Sequence, residues 1–160
     1  MFVDHQGKAL TFKVTVRGER VDAWFLSVAK AVGITSAPDE AGELLMLPLS
    51  LGDVKGWQVE FHFYATTSSF PGARLLTLKS ADAVVELFDG VSAPARAARV
   101  ASLRQDLGTF GCDAETFPRF AASAEPVAGF DHSDPAEGPM ALVKKVSRRL
   151  LTDAREQLGS

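Results

Sequence analysis

Cysteine is almost absent from this chain of 160 residues: Cys112 stands alone, so no disulfide can staple the chain to itself and the fold must rest on a packed core. Long apolar runs are missing too. None approaches the roughly 20 residues that span a bilayer, which leaves no expectation of membrane insertion. There is no basic excess, since 17 Lys and Arg stand against 20 Asp and Glu, and a net charge of -3 gives no electrostatic footprint for nucleic acid. The opening MFVDHQGKAL has neither a basic n-region nor an apolar h-region, so the cytoplasm is the expected compartment. Internal repeats and low-complexity tracts are lacking. What remains is the composition of a globular protein, 46% hydrophobic and 23% charged, long enough for one core; residues 1–160 are expected to form a single domain.

Leu10, Phe12, Val14 and Val16 alternate with Thr11, Lys13 and Thr15, the period of a strand with one face on a core. After the turn RGER, Asp22 is positioned to cap a helix over about Ala23 to Val32, with Gly33 as its stop. Thr35 to Gly42 reads as a connector. Glu43 to Leu49 and Trp57 to Ala65 read as an antiparallel hairpin separated by SLGDVKG. A short helical stretch from Phe70 leads to Ala83–Phe88, a near-continuous apolar run of the kind buried in a parallel sheet, with Glu86 as its one charge. Glu86 is either paired there or marks an opening toward a partner.

Pro94 begins a helix whose stripe is Ala97, Val100, Leu103 and Leu107. Phe117 to Ala124 is a further strand of small residues, and Pro126 to Pro139 is expected to be one long irregular loop. A last helix, about Met140 to Leu158, buries Val143, Val146, Leu150 and Ala154. Alternating strands and helices predict α/β architecture with a mainly parallel sheet.

The order of strand, turn, helix, hairpin and then strand-helix pairs resembles the Ras-like fold. LPLSLGDVKGWQVEFHFY, Leu47 to Tyr64, resembles the hairpin of the bacterial MglA-type small GTPases, which are polarity and gliding-motility switches, and LKSADAVVELFD, Leu78 to Asp89, is similar to their next strand. The likeness is densest over those segments, follows element order from Leu10 to Gly108, and fades after Phe117. It implies a reduced Ras-like, P-loop NTPase-type three-layer fold, with a mainly parallel sheet, one antiparallel hairpin strand and one strand-helix unit trimmed near the C-terminus.

The chemistry that the resemblance implies is missing. A P-loop needs glycines whose N–H groups surround phosphate, a lysine for its charge and a hydroxyl for Mg²⁺. With the pattern started at Gly18, its glycine, lysine and hydroxyl positions hold Ala23, Trp24 and Phe25. The second switch region of the family carries a glycine and a water-orienting glutamine; Ala65 to Phe70, ATTSSF, has neither. The N-K-x-D base-recognition motif has no counterpart in Arg119 to Asp131. Phosphoryl transfer in this fold is positioning and electrostatics, so the expectation is no catalytic residue, no cofactor and no metal.

Trp24 and Phe25 are either a plug in the vacated nucleotide space or core residues of the first helix. Asp131, His132, Ser133 and Asp134 are too close in sequence for a triad and read first as a turn. Cys112 has His5, His62 and His132 as conceivable bases, with no motif joining them, and reads as a structural thiol. The cluster Lys144 to Arg149 reads as the solvated face of a helix. The expected function is that of a noncatalytic MglA-like pseudo-GTPase working by protein contact. Candidate contacts are Trp57, Thr66, Thr67, Phe70 and Arg74, and the resemblance implies Roadblock/LC7-type regulators, an authentic MglA-like GTPase or another polarity protein as partner. The alternative is an atypical enzyme or small-ligand-binding protein re-using the former nucleotide cleft.

Overall fold

A computed structural model of the chain describes residues 1–34, 39–41 and 43–159, with the backbone alone at 39–41. The alternating segment is strand β2 (Ala9–Arg17), and a short β1 (Phe2–Asp4), not anticipated from the sequence, pairs antiparallel with its start. Helix α1 (Val21–Ala31) begins earlier than Asp22 would place it. Arg20, at φ 62°, is its N-cap, and Asp22 lies in the first turn, where its charge complements the helix dipole without capping. Gly33, at φ 79°, follows the helix in the left-handed conformation expected of a stop.

Part of the expected connector is a strand, β3 (Asp39–Ala41); its residues 35–38 and 42 lie outside the described ones. The hairpin is β4 (Leu44–Val54) and β5 (Trp57–Thr66), and most of SLGDVKG belongs to β4. Gly52 sits at a bulge in the register, which lets the strand run on through a glycine, so that only Lys55 and Gly56, at φ 53° and 86°, make the two-residue turn.

Helix α2 (Pro71–Leu78), strand β6 (Ala83–Leu87) and helix α3 (Ala93–Thr109) follow, with the Ser92 side chain accepting from the Ala95 N–H at the start of α3. Then come β7 (Arg119–Ala122), β8 (Asp131–Ser133) and α4 (Pro139–Gln157). The stretch Pro126 to Pro139 is therefore not all loop: β8 lies within it, parallel to β7. Three residues carry too little periodicity to reveal a strand in a polar sequence.

The strand order is β3-β4-β5-β2-β6-β7-β8, with β2 parallel to both β5 and β6, and β6, β7 and β8 parallel in turn. The sheet is thus mixed and mostly parallel. One face, carrying Phe12, Phe61, Phe63, Val85 and Phe120, packs against Phe25 and Val28 of α1 and Leu142, Val146 and Leu150 of α4. The other carries Val84 against Leu78 of α2 and Leu103 and Leu107 of α3. Phe12 and Phe61 stack at 4.9 Å, a geometry worth about 0.5–1.5 kcal/mol beyond the area buried. Helix α4 lies against β7, where Phe120 and Ala122 join its cluster, and Ala121, on the opposite face, is buried as well.

Candidate functional site

In open α/β sheets the ligand crevice lies beyond the carboxyl ends of the strands, where successive connections leave a central strand in opposite directions. Here that point is between β2 and β6. Arg17, the last residue of β2, is in register with Glu86 of β6, and both side chains are buried, Glu86 completely. Arg17 Nε lies 3.3 Å from one Glu86 oxygen, and Arg99 Nη2 of α3 lies 2.5 Å from the other. Asp106, two turns further along α3, approaches Arg17 Nη1 to 3.0 Å. The two Arg17 contacts lack hydrogen-bond alignment, so Arg17 Nη1 and Glu86 Oε1 are held by charge alone. Burial pushes the Glu86 carboxyl above the usual range, against the pull of Arg17 and Arg99, while Asp106 adds to the rise. The four charges sum to zero.

Arg99 is held by more than Glu86. Its Nη1 donates to the Leu87 carbonyl at 2.8 Å, its Nη2 to the Arg17 carbonyl at 3.2 Å, and its guanidinium lies over the Phe88 ring at 4.7 Å. The turn from β2 to α1 is only Gly18, Glu19 and Arg20. Gly18, at φ 133°, brings the backbone against Arg99.

A cavity of about 710 Å³ opens above this quartet, bounded by the β2–α1 turn, the Thr66–Ser69 loop and Arg74. The loop is shaped by its own hydroxyls: Thr66 Oγ1 donates to the Glu43 carbonyl at 3.0 Å and accepts from the Ser68 N–H at 3.0 Å, and Ser68 Oγ accepts from the Phe70 N–H at 3.2 Å.

Of the residues that the sequence comparison set against a P-loop, Ala23 is exposed and Phe25 is wholly buried in the core. Trp24 is half-buried, its ring 5.9 Å from Phe63 and 5.8 Å from Phe25, and it also walls a second cavity of about 360 Å³ with Asp89, Gly90 and Gly138. Phe25 is thus a core residue, whereas Trp24 combines packing with a place at a cavity wall.

The five candidate contacts do not share one surface. Thr67, Phe70 and Arg74 are exposed and Thr66 is half-buried, all near the larger cavity. Trp57 stands at the other end of β5, about 30 Å away along a strand rising about 3.3 Å per residue. It is also half-buried, because its parity with Val59 and Phe61 points it at the core face, where it packs near the hydrophobic cluster and meets His5 edge-on at 6.0 Å.

Several of the remaining sequence candidates are occupied locally, although the buried Ser133 Oγ has no hydrogen-bond partner among the described residues. Lys145 Nζ donates to the His132 carbonyl at 2.5 Å and pairs with Asp131 at 3.3 Å, and Asp134 accepts from the Ala136 N–H. Arg149 pairs with Asp153 one turn on. Cys112 packs beside the α3 cluster, and no hydrogen bond among the described residues joins it to a histidine. Among the described residues no group of three or more His, Cys, Asp or Glu is arranged to hold a metal ion, and no helix is long and apolar enough to cross a membrane.

Sequence reasoning singled out Glu86 and missed Arg17, Arg99 and Asp106. The available signal was on α3: Arg99 and Asp106 are seven apart, on one face, beside the stripe of Val100, Leu103 and Leu107. No family model matches the chain, and no curated protein matches it.

Proposed function

We propose that this chain is a noncatalytic Ras-like domain, similar to the MglA-type small GTPases, that acts through protein contacts rather than nucleotide turnover. The observation that carries the reading is the β2–α1 junction: three residues, with Ala23, Trp24 and Phe25 built into the helix, and a charge-neutral quartet beneath in place of free cations. Such a junction offers no run of glycine N–H groups and no lysine for a diphosphate. The element order of strand, helix, hairpin and strand-helix pairs supports the fold resemblance. No helix lies between β7 and β8, so on this reading the part trimmed is a helix and not a whole strand-helix unit.

The surface best suited to a partner surrounds α2, where Phe70 is 73% and Leu76 71% exposed, with Leu44, also exposed, at the start of the hairpin opposite Thr66. Roadblock/LC7-type proteins, an MglA-like GTPase or another polarity protein are the partners the resemblance implies. Calorimetric titration with GTP and GDP in the presence of Mg²⁺ tests the reading; micromolar, Mg²⁺-dependent binding would overturn it.

A second reading rests on the larger cavity, whose volume falls within the roughly 300–1,000 Å³ of small-molecule sites. In it the former nucleotide cleft takes a different small ligand. Specific stabilisation by a non-nucleotide metabolite, lost on changing Arg74 or Thr77, would favour that reading over protein contact.

A further inference from the structure

We infer that Arg17 and Arg99 form an oxyanion site whose resident anion is the chain's own Glu86 carboxylate. This goes beyond the absence of nucleotide chemistry, because it says what fills the charged floor of the cleft and what would take its place. A carboxylate in the middle of the Ala83–Leu87 run is costly to bury, and the apolar packing of Val84 and Val85 does not call for one. It is tolerated because two guanidiniums reach it from opposite elements.

Those guanidiniums have supports that do not depend on Glu86. The Leu87 and Arg17 carbonyls and the Phe88 ring place Arg99, while Asp106 pairs with Arg17. Removal of the carboxylate charge therefore leaves the donors in position, with a net charge of one plus where the quartet had none. Gly18 keeps the turn free of a side chain at this point, and Arg99, a quarter exposed, gives the site its opening to the cavity. A small oxyanion such as inorganic phosphate has the charge and acceptor atoms that such a pair takes up.

The test is titration of inorganic phosphate into the wild type and Glu86→Ala, which removes the charge and vacates the carboxylate's place, at constant ionic strength with chloride as the control anion. Glu86→Ala is expected to bind phosphate about tenfold or more tightly than the wild type, corresponding to about 1.4 kcal/mol, and to lose that gain when Arg99→Gln is added. Equal affinity in wild type and Glu86→Ala, or a gain that survives Arg99→Gln, overturns the proposal. Should Glu86→Ala fail to fold in chloride, refolding in phosphate supports the site, and failure to refold there overturns it. Guanine nucleotide binding by the wild type would remove the noncatalytic reading without altering this comparison.

Discussion

A Cβ placed on Gly18 would lie 2.7 Å from Nη2 of Arg99, inside any tolerated contact, so the glycine and the arginine define each other's positions. Gly18→Ala meets that clash and must also hold φ 133°, a conformation L side chains rarely adopt. The expected cost is about 2–3 kcal/mol, a fall in thermal midpoint of roughly 5–10 °C for a chain of this size. In an Arg99→Ala background the same change should cost less, because the backbone strain and the approaches to Leu87 Cβ and its carbonyl, at 3.0 and 3.1 Å, remain but the contact with Arg99 does not. Equal costs in both backgrounds would show that the approach to Arg99 is not what the glycine serves.

Glu86 gives the fold a specific pH dependence. Its folded pKa is raised chiefly by burial, so between the unfolded value, about 4.3, and the folded value the native state holds a proton that the unfolded state releases. The associated stability is fully present below the unfolded value and is lost as pH rises through the folded one. Urea midpoints measured upward in pH from the unfolded value should therefore show the wild type losing ground to Glu86→Gln until Glu86 has ionised and stands as the carboxylate between the two arginines. The opposite slope would mean that Arg17, Arg99 and their geometry outweigh desolvation.

The architecture was legible where burial is one-sided. Period-two alternation located β2, apolar runs either side of a turn located the hairpin, continuous apolarity located β6, and the 3.6-residue stripe located α3 and α4, because in each the pattern itself is the contact with the core. β1, β3 and β8 escaped, being three residues each: β3 and β8 are largely polar, and Phe2 and Val3 of β1 are too short a run to show a period. The site was half legible. Glu86 stood out as a charge in an apolar run, but its partners come from a different strand and from α3, and only the fold brings Arg17, Arg99 and Asp106 to it. Trp57, a candidate contact, shares the parity of Phe61 and is half-buried on the core face.

That parity changes what Trp57→Ala should do. A half-buried indole packed near the core and against His5 is expected to cost about 2 kcal/mol on truncation, lowering the thermal midpoint by several degrees. Val85→Asp, which puts a carboxylate in a fully buried strand position, should abolish cooperative unfolding altogether. A Trp57→Ala protein as stable as wild type would place the indole outside the core.

Arg119 is buried at the start of β7 and makes no ion pair among the described residues; its guanidinium lies 5.3 Å from the Phe130 ring centroid, and burial pushes its pKa down. A charge so placed bears desolvation without matching compensation, and its Nε has no hydrogen-bond partner. Arg119→Met keeps the length and apolar packing of the side chain while removing the charge, so it should leave stability unchanged or raise it by about 1 kcal/mol in urea titration. A loss of more than about 2 kcal/mol would assign Arg119 a stabilising contact that desolvation does not outweigh.

Phe70 and Leu76 carry the protein-contact reading at its most exposed point. Phe70 caps α2 through its backbone, not its ring, and the ring is 73% exposed; Leu76 faces outward later on the same helix. Neither contributes much to the fold, so Phe70→Ser and Leu76→Ser should each leave the thermal midpoint within about 2 °C of wild type. At an interface, loss of such an apolar anchor typically costs about 2 kcal/mol, roughly thirtyfold in affinity. Once a partner is in hand, surface plasmon resonance on the two variants, with Trp57→Ala as the comparison, separates docking from packing. Weakened binding with retained stability for Phe70 and Leu76 places the contact on α2; full affinity in both variants would move it off this helix and away from the cavity rim.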